Sequence, residues 1–121
     1  MNRKTNDTTE KTVKLSARLA AVAALVEPGS RVADVGTDHG YIPIYLVQTG
    51  IADRALAMDV RPGPLERARA HVDRLSPGCR ERIETRLSDG LKALSPGEAD
   101  TVVIAGMGGE LMIRILDEGR H

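Results

Sequence analysis

Apolar positions recur along the chain with helical and extended periods in turn. One helix is predicted over residues 13–26, where a single face collects Leu15, Leu19, Val22, Ala23 and Val26. Short apolar runs, typical of strands buried in a parallel sheet, follow at residues 31–35, 55–60 and 100–105, and a weaker strand is predicted at residues 82–87. The pattern therefore predicts four strands, each followed by a helix.

The connecting helices are predicted from their start and stop signals. One begins at about Tyr41 and is capped at Gly50, and the next begins at Pro62-Gly63-Pro64 and ends before Ser76-Pro77-Gly78. A short helix is predicted around Leu91 and Leu94. After a turn at residues 106–109, a last helix is predicted over residues 110–118.

Alternating strands and helices are typical of an α/β protein with a parallel sheet, here of four strands. Residues 1–11 are polar and rich in Thr, so we predict a disordered leader before one domain over residues 12–121. A complete doubly wound fold has about six strands, so the chain is predicted to be the N-terminal part of a larger fold. The strand at residues 100–105 would then lie at an open edge and favour self-association.

Composition narrows the class of protein. Two Tyr and no Phe or Trp require an aliphatic core and exclude binding of single strands by base stacking. One Cys excludes an internal disulfide and fits a reducing cytoplasm, where we expect the protein to lie. No apolar run reaches the roughly 20 residues needed to cross a bilayer, so no membrane association is predicted.

Formal net charge is zero, but basic residues are concentrated in one segment. Residues 54–86 carry eight Lys or Arg and five Asp or Glu. Such a segment fits either contact with phosphate or a solvated helix face. Charge alone leaves both interpretations open.

The carboxyl ends of the strands form the ligand-binding edge of such a sheet. The first strand leads into Asp34-x-Gly36-x-Asp38-x-Gly40. This loop lacks the central glycine of the G-x-G-x-x-G motif, and its carboxylates would repel a pyrophosphate. They suit a cationic ligand, such as the sulfonium and ammonium groups of S-adenosylmethionine.

Further carboxylates follow at the next two strand ends. Asp59 lies 23 residues after Gly36, close to the offset of about 20 at which a carboxylate accepts ribose hydroxyls. Asp89, after the third strand, could accept from an adenine amino group. Each Asp alone also fits a turn or a helix N-cap. Carboxylates at three consecutive strand ends, in this order along the chain, favour a binding site for adenosine.

The fourth strand end is Gly106-Met107-Gly108-Gly109. Glycines after a buried strand indicate that the backbone approaches a flat ligand closely, and a flexible turn with Met107 in the core is the alternative. The Asn/Asp-Pro-Pro-aromatic motif that holds an exocyclic amino group is absent. A ring nitrogen is therefore the predicted nucleophile. No metal site is predicted, because His39 has no second His or Cys at ligand spacing.

Several motifs carry a resemblance to a known family. They are Leu15-Ser16-x-Arg18-Leu19, Ala33-Asp34-Val35-Gly36-Thr37-Asp38-His39-Gly40-Tyr41-x-Pro43, Gly63-Pro64, Asp89-Gly90-Leu91 and Ile104-Ala105-Gly106-Met107-Gly108-Gly109-Glu110. Through them the chain, from about residue 14 to residue 119, resembles the bacterial tRNA (adenine(22)-N1)-methyltransferase family.

This resemblance implies a Rossmann-like class I fold, S-adenosylmethionine as cofactor, tRNA as substrate and methyl transfer to N1 of an adenine. The family has Ala where Gly40 stands and Glu where Asp59 stands. Its members also continue with further strands and a helical coiled-coil region, which are expected to be absent from this chain.

The strand ends and the resemblance together define a candidate site. The predicted catalytic residues are Asp38, which would stabilise the developing cation, His39, which would orient Asp38, and Tyr41, which would shape the base pocket. The predicted cofactor-binding residues are Asp34, Gly36, Thr37, Asp38, Asp59, Val60, Ser88, Asp89, Gly90, Ala105 and Gly106. The predicted substrate-binding residues are Met107, Gly108 and Gly109.

Two other classes of function stay open at this point. One is a truncated, catalytically inactive module of the same fold that binds the cofactor or RNA. The other is a nucleotide-dependent oxidoreductase, which the carboxylates of the first loop disfavour.

Overall fold

The computed structural model describes residues 11–105 and 111–116. Its strands are β1 (Ser30–Val35), β2 (Ala52–Asp59), β3 (Ile83–Leu87), β4 (Thr101–Ala105) and β5 (Leu111–Ile115). Its helices are α1 (Ala17–Ala23), α2 (Tyr41–Gln48), α3 (Pro62–Asp73) and α4 (Pro77–Arg80). The predicted leader lies outside the described residues, except for its last position.

The strands form one mixed sheet in the order β3-β2-β1-β4-β5. The first four strands run parallel, as predicted, and β5 runs antiparallel to β4. The carboxyl ends of β1, β2, β3 and β4 therefore lie along one edge, where ligands bind in open α/β sheets. The α/β prediction is confirmed, with one strand more than expected.

The prediction of a helix over residues 110–118 is wrong where the structure describes it. Leu111–Ile115 is a strand whose residues pair with Ala105 through Thr101 in antiparallel register. The segment contains the β-branched residues Ile113 and Ile115, which suit a strand. Pairing also gives the apolar β4 a neighbour on its second side. Strand β4 is thus internal, and the predicted open edge lies at β5 instead.

The short helix predicted around Leu91 and Leu94 is also absent, and a turn occupies residues 91–93. The side chain of Ser88 explains the difference. Its Oγ donates to the carbonyl of Gly90 (2.8 Å) and accepts from the N–H of Ala93 (3.1 Å). A side chain that bonds nearby backbone groups in this way competes with helix formation.

Helix α1 is shorter than predicted, and its later start has a local cause. Ser16 caps its first turn by accepting from the N–H of Leu19 (3.2 Å). Before the cap, Val13 donates its N–H to the side chain of Gln48 (2.8 Å), which ties the preceding segment to α2. The apolar face of residues 13–26 still packs on the core as expected.

The helices cover one face of the sheet. Residues of α1, α2 and α3 join alternate strand positions such as Val32 and Val103 in one apolar cluster. Crossovers from β1 to β2 and from β2 to β3 advance in the same direction, so right-handed connections place α2 and α3 on the same side. On the other face, loop residues and the end of β5 cover the strands: Leu94, Ala99 and Leu116.

Candidate functional site

A cavity of about 730 Å³ opens where β1 and β2 end. Ligand sites in proteins usually have volumes of about 300–1,000 Å³. The lining residues come from α1, from the ends of β1 and β2, from the start of α2 and from β5: Arg18, Leu19, Asp34, Gly36, Thr37, Asp38, His39, Tyr41, Ile42, Val60, Arg61 and Leu111. Six of the predicted cofactor-binding and catalytic positions, Asp34 near the end of β1 and five that follow this strand, therefore share one cavity with Val60.

The loop after β1 reaches the cavity through an irregular backbone. Gly36 and Gly40 have φ values of +79° and +77°, and Asp38 has a φ of +57°. Positive φ in a residue other than glycine costs energy and is concentrated at functional sites. The N–H groups of Gly36 and Thr37 both donate to the carbonyl of Met58, at 2.8 and 3.0 Å. These bonds tie the loop to the end of β2.

Asp34 is a carboxyl group buried at the floor of the cavity, with 4% of the residue exposed. Burial raises the pKa of Asp34 from 3.8 to about 7, and the nearby charge of Asp59 adds to the rise. The hydroxyl of Thr37 lies close enough to oppose this change in pKa. It nevertheless has no hydrogen-bond partner of normal geometry, although it is fully buried.

Asp59 ends β2 on the same face of the sheet as Asp34, because Asp34 pairs with Ala57 and side chains alternate along a strand. Its Oδ1 accepts from the backbone N–H (2.9 Å) and the Nε (3.2 Å) of Arg61. Burial alone would raise the pKa of Asp59. The bonds and charge of Arg61, with the backbone N–H of Asp38, outweigh burial and hold that pKa below its usual value. Asp59 is therefore ionised at neutral pH.

Asp38 lies at the rim of the cavity, where about half of its side chain is exposed. Its Oδ1 accepts from the Nη2 of Arg67 on α3 at 2.9 Å. The Nε2 of His39 lies 3.8 Å from the other carboxylate oxygen, beyond hydrogen-bond distance. In this structure Arg67 holds Asp38, and His39 makes only a longer electrostatic contact with it.

Asp59 and three other predicted cofactor-binding residues, Ser88, Asp89 and Gly90, are not among the described residues that line the cavity. Ser88, Asp89 and Gly90 follow β3 at the sheet edge, where Ser88 closes a turn and Asp89 forms an exposed ion pair with Lys92 (3.4 Å). Ala105 ends β4 beside β1 and pairs with Leu111. The remaining predicted positions lie outside the described residues: Gly106, Met107, Gly108 and Gly109.

Sequence reasoning missed three side chains that contact the site. Arg61 binds Asp59, Arg67 binds Asp38, and His71 donates to the backbone carbonyl of His39 at 2.7 Å. The last two belong to α3 and are four residues apart, so they lie on one helix face. That spacing was visible in the sequence, but nothing local indicated that this face meets the loop after β1.

The described part of the chain contains neither a cluster of potential metal ligands nor a helix suited to crossing a membrane. No group of three or more His, Cys, Asp or Glu in residues 11–105 and 111–116 could hold a metal ion. In the same residues, no helix combines the length and the apolar character that a membrane span requires.

Known proteins are similar to this chain in sequence and in fold. The sequence matches the methyltransferase-domain family over residues 15–121, which is most of its length. The chain belongs to that family. A relative of this methyltransferase domain, the tRNA (adenine(22)-N(1))-methyltransferase of Bacillus subtilis, is 41% identical over 108 residues. The aligned region covers 89% of this chain and 44% of the relative, so the chain spans less than half of that protein.

Solved structures confirm the Rossmann-like fold of the domain. A protein of the NADB-Rossmann superfamily from Streptococcus agalactiae superposes with a TM-score of 0.72 at 41% identity, over 78% of this chain and 42% of that one. TrmK of M. capricolum, solved with S-adenosyl-homocysteine, superposes with a TM-score of 0.69 at 41% identity, over 76% and 41% of the two chains. The resemblance stated from the motifs is confirmed.

Proposed function

We propose that the chain is the cofactor-binding part of an S-adenosylmethionine-dependent tRNA (adenine-N1) methyltransferase, acting at position 22. The observation that carries this proposal is the cavity at the ends of β1 and β2, in a chain 41% identical to a tRNA (adenine(22)-N(1))-methyltransferase. The domain would span residues 12–121, and the protein would act in the cytoplasm.

The residues present fit S-adenosylmethionine. The buried hydroxyl of Thr37 has no protein partner of normal hydrogen-bond geometry, so it is available to a ligand. Oδ2 of Asp59 makes a long contact of 3.5 Å with Nη2 of Arg61 and is proposed to accept from ribose hydroxyls. A buried polar group without a partner costs free energy that a ligand can recover. Asp34 and Asp38 supply the acidic surroundings that a cationic cofactor requires.

Bound S-adenosylmethionine would supply an electrophilic methyl group. The chain's own residues would align the base, because adenine N1 has a free lone pair and needs no general base. Positive charge develops on the adenine ring as N1 attacks, and the carboxylate of Asp38 at the rim would stabilise it. Tyr41 would pack beside the base, and the residues after β4, Gly106 through Gly109, would admit its flat ring.

Cofactor binding is tested first by calorimetric titration of the chain with S-adenosylhomocysteine. We expect saturable binding that NAD does not displace. Displacement by NAD would favour a nucleotide-dependent oxidoreductase, and an absence of binding would contradict the proposal.

Methyl transfer is tested by incubating the chain with unmodified tRNA and S-adenosylmethionine. Digestion and mass spectrometry should find 1-methyladenosine. Detection of N6-methyladenosine alone would refute the choice of nucleophile. Cofactor binding without methyl incorporation would favour the second candidate, a catalytically inactive cofactor- or RNA-binding module. The observation behind that candidate is the coverage, because the aligned region spans 44% of the relative.

We also propose that the chain self-associates through β5. This strand is at the edge of the sheet, and Met112 and Ile115 are 54% and 67% exposed. Unpaired strand edges with apolar side chains favour pairing with another chain. Light scattering at about 100 μM should detect dimers or larger species. A uniform monomer at that concentration would contradict this proposal.

A further inference from the structure

Three aromatic rings, one each from the loop after β1, from α2 and from α3, meet at the wall of the cavity. The ring centroids of His39 and Tyr41 are 5.1 Å apart, and His71 on α3 lies 5.5 Å from Tyr41 and 5.9 Å from His39. The planes differ by 11–26°, so the rings are stacked. His39 and Tyr41 line the cavity, whereas His71 is not among its lining residues. His71 therefore reaches the site only through the other two residues.

His71 also makes a directional bond to the same loop. Its Nδ1 lies 2.7 Å from the backbone carbonyl oxygen of His39. A carbonyl only accepts, so Nδ1 carries the hydrogen and donates it. This bond links the middle of α3 to the residue between Asp38 and Gly40, which both have positive φ. A backbone conformation of this kind persists where the surrounding structure holds it in place.

Helix α3 thus holds the loop after β1 at two points. Arg67 binds the side chain of Asp38 at 2.9 Å, and one turn later His71 binds the backbone of His39. The Arg67 contact is an ion pair between half-exposed side chains. Such a pair by itself contributes little to holding the loop in one conformation. The His71 contact is between partly buried groups and combines a hydrogen bond with ring stacking.

We propose that His71 is a positioning residue for the cavity: its Nδ1–H holds the loop from Asp38 to Tyr41 in the conformation that forms one wall. The inference deepens the proposed function and rests on it only for the nature of the ligand. If His71 has this role, the loop opens more readily when the Nδ1 donor is lost. A hydrogen bond of this kind changes an opening equilibrium by about three- to tenfold.

Two substitutions separate this role from general stability. His71→Asn places an amide N–H near the position of Nδ1, whereas His71→Gln places its amide nearer to Nε2. Both remove the ring and introduce a neutral amide, so the two variants form a matched pair. Amide hydrogen exchange is measured on the free chain, with the urea midpoint as the check on global stability.

We expect the amides of residues 38–41 to exchange about three- to tenfold faster in His71→Gln than in the wild type. In His71→Asn they should remain within about twofold of the wild type, and the amides of β1 should be unchanged in both. Equal exchange in both variants would overturn the proposal. So would faster exchange that spreads evenly through the chain with a lower urea midpoint, since that result describes a structural residue.

The fluorescence of Tyr41 measures how exposed the cavity wall is to solvent. The chain has two Tyr and no Trp, so Tyr45→Phe leaves Tyr41 as the single strong fluorophore. In that background, acrylamide should quench Tyr41 emission more strongly in His71→Gln than in His71→Asn. Equal quenching would show that the ring of Tyr41 does not depend on the Nδ1 donor, and would overturn the proposal.

Exchange is then measured with saturating S-adenosylhomocysteine, to test whether the loop forms part of the ligand site. If it restores slow exchange of residues 38–41 in His71→Gln, the loop that His71 holds is the wall of the ligand site. If the ligand binds and exchange stays fast, the assigned wall is incorrect. If the ligand does not bind the wild type, the proposed function fails, and the comparison of the free variants still decides the role of His71.

Discussion

Replacement of Asp34 by Asn should change how the stability of the protein depends on pH. The carboxyl group is buried in β1, and burial raises its pKa from 3.8 to about 7. Between these pH values the folded chain binds a proton that the unfolded chain has released. The free energy of unfolding contributed by this group therefore falls as pH rises from about 4 to about 7. Asn has nearly the same shape and no proton to lose.

The size of the effect follows from the two pKa values. A rise from 3.8 to about 7 corresponds to about 4 kcal/mol, at about 1.4 kcal/mol per pH unit. Urea unfolding, followed by far-UV circular dichroism because the chain has no Trp, is measured for both proteins from pH 4 to pH 8. The difference in unfolding free energy should favour Asp34→Asn by about 4 kcal/mol more at pH 8 than at pH 4.

The control is Asp53→Asn, which removes a carboxylate from an exposed position of the same sheet. Its effect should stay within about 0.5 kcal/mol. If the difference between the wild type and Asp34→Asn does not vary with pH, the burial argument fails. A variant that becomes relatively less stable as pH rises would show that the carboxylate of Asp34 has a compensating partner.

Three further predictions concern other parts of the molecule. Asp59→Ala should weaken S-adenosylhomocysteine binding at least about tenfold in calorimetry, because charge-assisted bonds to the ribose are lost; equal affinities would refute the assignment. Arg86 binds Glu98 through two bonds of 2.7 and 2.8 Å and lowers its pKa from 4.5 to about 2. The stability advantage of the wild type over Glu98→Gln should therefore be complete above pH 4.5 and disappear as pH falls towards 2; an advantage that persists at pH 2 would contradict it. Gly40→Ala should destabilise the chain by about 1–2 kcal/mol, because φ is +77° and the new Cβ would lie 3.2 Å from the Cβ of Ala68. Gly63→Ala, where a new Cβ would meet open space, should not destabilise it, and equal urea midpoints for the two variants would refute the reasoning.

The sequence by itself determined the four parallel strands, the helices α1, α2 and α3, and the family. Apolar runs located β1, β2 and β4 to within a few residues, since strands buried on both faces are largely apolar, and the less apolar β3 was also located to within a few residues. Glycines and carboxylates after β1 identified the ligand-binding edge, because parallel strands place their carboxyl ends together. These features are local, and so they can be recognised without knowing the neighbours of each segment.

Only the tertiary structure decided the nature of the last described segment and the partners of the acidic residues. Leu111–Ile115 has apolar residues that suit either a helix or a strand, and the unpaired side of β4 decided for a strand. The contacts of Arg67 and His71 with the loop after β1 depend on where α3 packs, more than 25 residues later in the chain. The pKa of Asp34 depends likewise on burial and on Asp59 in the neighbouring strand. Contacts between distant segments and the loss of water around a carboxyl group arise only when the chain folds, so the sequence pattern does not contain them.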